Sequence, residues 1–115
     1  MKEKNIELYV GGMTPANVDI RINGITPKHI INARWTITAT DTFGRLVINC
    51  VNNSYYEIVD NGIVEINHGG WKIISDTNTP RDTKIYYDNK KITGIKRVIW
   101  RSDINSDLNK LRIYI

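Results

Sequence analysis

Short stretches in which apolar and polar residues alternate follow one another along the whole chain. The alternation is clearest from Ile31 to Ala39, where every second residue is apolar. A period of two indicates a strand with one buried face and one solvated face. We predict about ten strands, over residues 5–10, 18–23, 29–40, 45–51, 55–60, 63–67, 71–75, 83–88, 91–102 and 109–115.

Turn residues separate these stretches at regular spacing. Glycine and asparagine tolerate the positive φ that tight hairpins need, and they meet at Asn23-Gly24 and Asn61-Gly62. Short strands divided by such turns predict an all-β fold of antiparallel strands, as a sandwich or a partly open barrel. The best-defined hairpin joins 55–59 to 63–67, and 71–75 adds a third strand to this central meander.

The choice of apolar residues favours strands as well. The chain has twenty isoleucines against four leucines and three alanines. A β-branched side chain loses rotamer freedom in a helix but packs well on a pleated sheet. With 115 residues, the chain has the length of one domain, which we place over residues 1–115.

Two parts of the chain align with each other without a gap. When residues 20–50 are placed on 85–115, Trp35 falls on Trp100 and Leu46 falls on Leu111. The turn pair Asn23-Gly24 also falls on a second turn pair, Asp88-Asn89. This alignment predicts an internal repeat, with two related β units on either side of the central meander.

The side chains that carry catalysis are few and isolated. The single cysteine, Cys50, lies in an apolar strand and is expected to be a small buried hydrophobe. The two histidines are expected in exposed turns, without a partner at metal-ligand spacing. Glu57 and Glu65 could serve as a general acid and base if they faced each other across the hairpin. That arrangement would oppose two like charges, so we expect the strand register to separate them. We therefore expect no enzymatic activity, no cofactor and no metal site.

Charge is unevenly distributed along the chain. The net charge is +4, and residues 81–115 hold nine basic and four acidic residues. A positive strand surface with aromatic rings is typical of proteins that bind single-stranded nucleic acid. The same pattern is expected if the cations occupy the solvated face of a strand whose aromatic residues are buried, or protect a free sheet edge. The candidate binding residues are Lys90, Lys91, Lys96, Arg97, Arg101, Tyr86 and Tyr87.

The segment Lys84–Val98, with the sequence KIYYDNKKITGIKRV, resembles a sequence pattern found in small phage and prophage proteins. In them a short strand, a turn and a glycine between isoleucines precede a long strand. The resemblance implies a phage accessory or virion-associated role and transfers no functional residue. The thirteen asparagines and many lysines are typical of an AT-rich genome.

Two functional hypotheses follow from these patterns. The first is a non-enzymatic binding or assembly protein of a phage or mobile element, which contacts another protein or itself through free strand edges. The second is a binder of single-stranded nucleic acid or nucleotides that uses the basic C-terminal third. No apolar stretch resembles a signal peptide or a membrane span, so we expect the protein in the bacterial or infected cytoplasm, or on the virion.

Overall fold

The structure is a computed structural model that describes residues 5–115. Residues 1–4, where we read no secretory signal, lie outside the described residues. The described strands are β1 (Ile6–Val10), β2 (Val18–Ile22), β3 (Ile30–Thr38), β4 (Arg45–Cys50), β5 (Tyr55–Val59), β6 (Gly62–His68), β7 (Trp71–Ser75), β8 (Lys84–Tyr87), β9 (Lys90–Ile92), β10 (Arg97–Asp103) and β11 (Lys110–Tyr114).

These strands form two sheets that pack face to face as a sandwich. One sheet has six strands in the order β2-β1-β6-β7-β8-β9, and the other has five in the order β11-β10-β3-β4-β5. The predicted all-β sandwich is therefore confirmed. The prediction of antiparallel strands holds for the described pairs other than β1 and β6, which run parallel.

The core lies between the inner faces of the two sheets. Trp35 on β3 and Trp100 on β10 are paired directly across the centre of the five-stranded sheet, and both are fully buried. Isoleucines, valines and Leu8 from the six-stranded sheet pack against them from the other side. Cys50 is buried at the end of β4, as its alternation predicted.

The predicted hairpin between 55–59 and 63–67 is wrong. β5 pairs with β4 in the five-stranded sheet, whereas β6 pairs with β1 and β7 in the six-stranded sheet. Asn61 and Gly62 do not adopt the positive φ that a tight hairpin needs, so the chain crosses from one sheet to the other. The third strand of the meander is correct, because β6 and β7 form a hairpin.

The long strand predicted over 91–102 is also interrupted. β9 ends at Ile92 in the six-stranded sheet, and β10 begins at Arg97 in the five-stranded sheet. Gly94 has φ +76° between them, a conformation that favours glycine. At this point the chain changes sheets and does not continue as one strand. This crossing separates residues that the sequence placed on one strand.

The registers within the five-stranded sheet bear on the predicted repeat. Trp35 pairs with Leu46 in β3–β4, and Trp100 pairs with Leu111 in β10–β11. These are the residues that the alignment of 20–50 with 85–115 superimposes. The internal repeat stays a prediction, and this common register is an observation in its favour.

The polar segment between β7 and β8 is tied to the core at one residue. Asn78 is fully buried, with φ +55°. Its side-chain oxygen accepts a hydrogen bond from Trp35 Nε1 at 2.9 Å, and its amide nitrogen donates to the carbonyl oxygens of Gly44 and Asp60, both at 2.9 Å. Asn78 therefore joins three connections between strands to the central tryptophan.

Candidate functional site

The outer face of the five-stranded sheet carries more basic than acidic side chains. Along β3, β10 and β11, buried residues alternate with residues that point away from the core. We call this outer face the basic face. Its strands contribute six basic side chains and two acidic ones: Arg34, Arg45, Arg97, Arg101, Lys110 and Arg112 against Glu57 and Asp103.

Three of these cations lie side by side across neighbouring strands. Arg101 on the middle strand is paired directly with Arg34 on one side and Lys110 on the other. We call these three residues the cation row. Directly opposed residues of an antiparallel pair have Cβ atoms about 4.5–5.5 Å apart, and like charges there destabilise the sheet. The row therefore concentrates positive charge at a cost to stability.

The ion pair on this face lies beside the cation row, not within it. Arg45 Nη1 is 3.2 Å from Glu57 Oε2, and the hydroxyl of Tyr55 donates to Glu57 Oε1 at 2.7 Å. This hydrogen bond to the carboxylate raises the pKa of Tyr55. Among the described residues, no carboxylate lies within ion-pair distance of Arg34, Arg101 or Lys110. Their charge remains available to a bound anion.

The outer face of the six-stranded sheet is arranged differently. Arg21 is paired directly with Glu7 on the neighbouring strand and lies 3.2 Å from Asp19 on its own strand. Glu65 and Lys72 also point outward from neighbouring strands. Lys84 and Lys91 point outward on β8 and β9, so this face carries four cations and three carboxylates, against six and two on the basic face. The basic face is therefore a feature of one sheet.

A concavity of about 560 Å³ is lined by the cation row and by one carboxylate, that of Asp103. Asn32 and Asn49 line it, and the amide nitrogen of Asn49 donates to the amide oxygen of Asn32 at 2.8 Å. The amide nitrogen of Asn32 and the amide oxygen of Asn49 have no partner among the described residues. Tyr55, which is 56% exposed, forms one side. The concavity thus offers a donor, an acceptor and a ring beside three cations.

A second exposed tyrosine lies at the opposite edge of the basic face. Tyr114 on the edge strand β11 is exposed, and the guanidinium of Arg97 lies over its ring, 5.5 Å from the centroid. A guanidinium in this position is attracted to the face of the ring. Rings therefore occupy both edge strands of the sheet.

The seven residues predicted from sequence do not form one surface. Tyr86 and Lys91 point outward from the six-stranded sheet, where they are directly paired. Tyr87 packs on the ring of Trp71, with centroids 4.7 Å apart, and its strand neighbour Lys90 is exposed. By contrast, Lys96 lies in the crossing between β9 and β10, and Arg97 and Arg101 lie on the basic face.

The prediction therefore missed five residues of the basic face and its concavity. Arg34, Lys110 and Arg112 lie on the neighbours of β10, and Tyr55 and Tyr114 lie on the edge strands. Lys110 and Arg112 belong to the basic third of the sequence, so the uneven charge distribution could have identified them. Arg34 and Tyr55 lie outside it, and only strand pairing brings them to the cation row.

The groups considered for catalysis are dispersed. His29 is exposed, but His68 is half-buried, contrary to its prediction, and this burial lowers the pKa of its imidazole. Glu57 and Glu65 are on different sheets, because the predicted hairpin does not form. Within residues 5–115, no three His, Cys, Asp or Glu side chains are grouped closely enough to hold a metal ion.

Comparison of the chain with protein-family models, curated proteins and solved structures gave no match. A search of the described residues for a helix long and apolar enough to span a bilayer also found none. The functional inference below therefore depends on the geometry of the chain itself.

Proposed function

We propose that this protein binds single-stranded nucleic acid on the basic face of its five-stranded sheet. The observation that carries the proposal is the cation row. Three cations opposed across neighbouring strands reduce the stability of a sheet, each pair by up to about 1 kcal/mol. Phosphate groups bound along the row would remove this repulsion, because each would lie between positive charges.

The surroundings of the row favour a single strand over a duplex. Single-stranded binders combine a positive track for phosphates with exposed aromatic rings on which unpaired bases stack. Tyr55 and Tyr114 supply rings on the two edge strands. They are separated by about 19 Å across the strands and about 20 Å along them, because Tyr55 lies level with Asn32 of β3 and Tyr114 lies level with Thr38. The free donor of Asn32 and acceptor of Asn49 are suited to the edge of an unstacked base.

An assembly role, through contacts with a protein or with a second copy, is the second candidate. It is favoured by the edge strand β5, whose backbone is open to pairing on one side and whose Tyr56 and Val59 are exposed. A strand edge of this kind can accept a further strand. A role in a phage rests on the resemblance of 84–98 and on composition, and it stays a prediction.

The test is a fluorescence anisotropy titration with a labelled oligonucleotide of about twelve deoxythymidines. We expect binding that weakens as salt rises from about 50 to 200 mM, with a log–log slope of about −2 to −3 for three or four neutralised phosphates. A duplex of equal length is expected to bind more weakly, because its bases are not free to stack on tyrosine. Absence of binding at low salt would overturn the proposal and leave the assembly role.

A further inference from the structure

A hollow of about 430 Å³ opens where the chain crosses between the two sheets. It lies between the end of β9 and the start of β10, where residues 93–96 leave one sheet and join the other. Its floor is apolar and is lined by five residues: Ile37, Ile85, Ile92, Ile95 and Val98. Ile37, Ile85 and Val98 are buried, so the half-buried Ile92 and Ile95 supply the apolar surface that is accessible at this end of the sandwich.

The rim of the hollow is basic. Five exposed cations line it, from the segment before β8, from β8 and β9, and from the crossing to β10: Arg81, Lys84, Lys91, Lys96 and Arg97. No carboxylate is among its lining residues, and the ion pairs in the described part of the chain lie elsewhere. Lysines on the edge strand β9 have a second explanation, since they discourage pairing with other strands. That explanation does not extend to Arg81 or Lys96.

We propose that this hollow binds an amphipathic monoanion, namely an alkyl chain with a single terminal carboxylate. The apolar floor would cover the chain, and burial of apolar surface would supply most of the affinity. The carboxylate would lie at the rim, where the cations carry no ion-pair partner. Charge complementarity selects this occupant over a neutral or cationic amphiphile. The proposal is independent of nucleic-acid binding, although Arg97 borders both surfaces.

The test uses three probes that share a ten-carbon chain and differ in head group: decanoate, decyl maltoside and decyltrimethylammonium. Each is titrated below its micellar concentration by isothermal calorimetry. We expect decanoate to bind about tenfold more tightly than the maltoside, equivalent to about 1.4 kcal/mol, and the ammonium to bind most weakly. Equal affinities for the three probes, or no binding of decanoate, would overturn the proposal.

A matched pair of double variants locates the site. Lys91→Glu with Lys96→Glu should weaken decanoate binding by about tenfold or more and leave the maltoside affinity unchanged, because only the charged head group meets the rim. Lys28→Glu with Lys72→Glu changes the net charge equally but lies outside the hollow and outside the basic face, and it should leave both affinities unchanged. Equal losses in the two double variants would contradict the site. Oligonucleotide binding tests the cation row and is measured separately on the same proteins.

Discussion

Replacement of Asn78 with alanine should lower the free energy of unfolding by about 3–5 kcal/mol. The side chain makes three hydrogen bonds in a fully buried position, and each buried group left without its partner costs about 1–3 kcal/mol. Alanine at φ +55° adds backbone strain of about 1 kcal/mol. A polar loop residue is therefore expected to contribute as much to stability as a large core residue.

The contribution of one of these bonds is isolated by two tryptophan variants. Trp35 and Trp100 are both fully buried, but Trp35 Nε1 donates to Asn78, whereas Trp100 Nε1 has no partner among the described residues. Each change to phenylalanine leaves a similar cavity, and only Trp35→Phe leaves Asn78 Oδ1 unpaired. We expect Trp35→Phe to be more destabilising by about 1–3 kcal/mol in urea denaturation. Equal losses would show that the Asn78 hydrogen bond contributes nothing.

Arg101→Glu should have opposite effects on stability and on oligonucleotide binding. The variant replaces two like-charged cross-strand pairs, with Arg34 and with Lys110, by two pairs of opposite charge. We expect the free energy of unfolding to rise by about 0.5–1 kcal/mol. Oligonucleotide affinity at low salt should fall about tenfold or more, because one charge-assisted contact is lost and a repulsive one is introduced.

The control for this variant is Lys72→Glu, which makes the same change in net charge on the outer face of the six-stranded sheet. Its oligonucleotide affinity should fall by no more than about threefold, because the substitution acts only through the long-range electrostatic field. If both variants weaken binding equally, net charge and not the cation row determines affinity. A loss of stability in Arg101→Glu would show that Arg101 has structural contacts that account for its position.

The strands could be predicted because their signal is local. Alternation over 31–39 and the turn residues around it predicted a strand over 29–40, close to the observed bounds of β3. The burial of Cys50 was predicted correctly as well. The pairing of strands is not local. Asp60-Asn61-Gly62 reads as a tight turn, and only the backbone conformation shows that the chain crosses to the other sheet. The same holds at Gly94, where a positive φ serves a crossing instead of a bulge.

The candidate site could be predicted only in part, because it depends on which strands pair and on the register of their pairing. Arg101 was predicted as a binding residue from the basic C-terminal third, but its neighbour Arg34 lies far away in sequence and in a segment without charge bias. One signal was present: Arg34 directly precedes Trp35, and Arg101 directly follows Trp100. In an antiparallel pair centred on the tryptophans, Arg34 and Arg101 become opposed. Composition alone does not show that these two arginines are paired.

If the oligonucleotide binds on the basic face, the residues of that face should change their environment when it is added. The most direct measurement is the change in backbone and arginine side-chain NMR resonances of the ¹⁵N-labelled protein on titration with the single strand of about twelve nucleotides. We predict that the largest shifts fall on the cation row, on Arg112 and on the tyrosines of the edge strands, with β6 and β7 unchanged. Shifts confined to the six-stranded sheet, or scattered evenly over both faces, would contradict the claim.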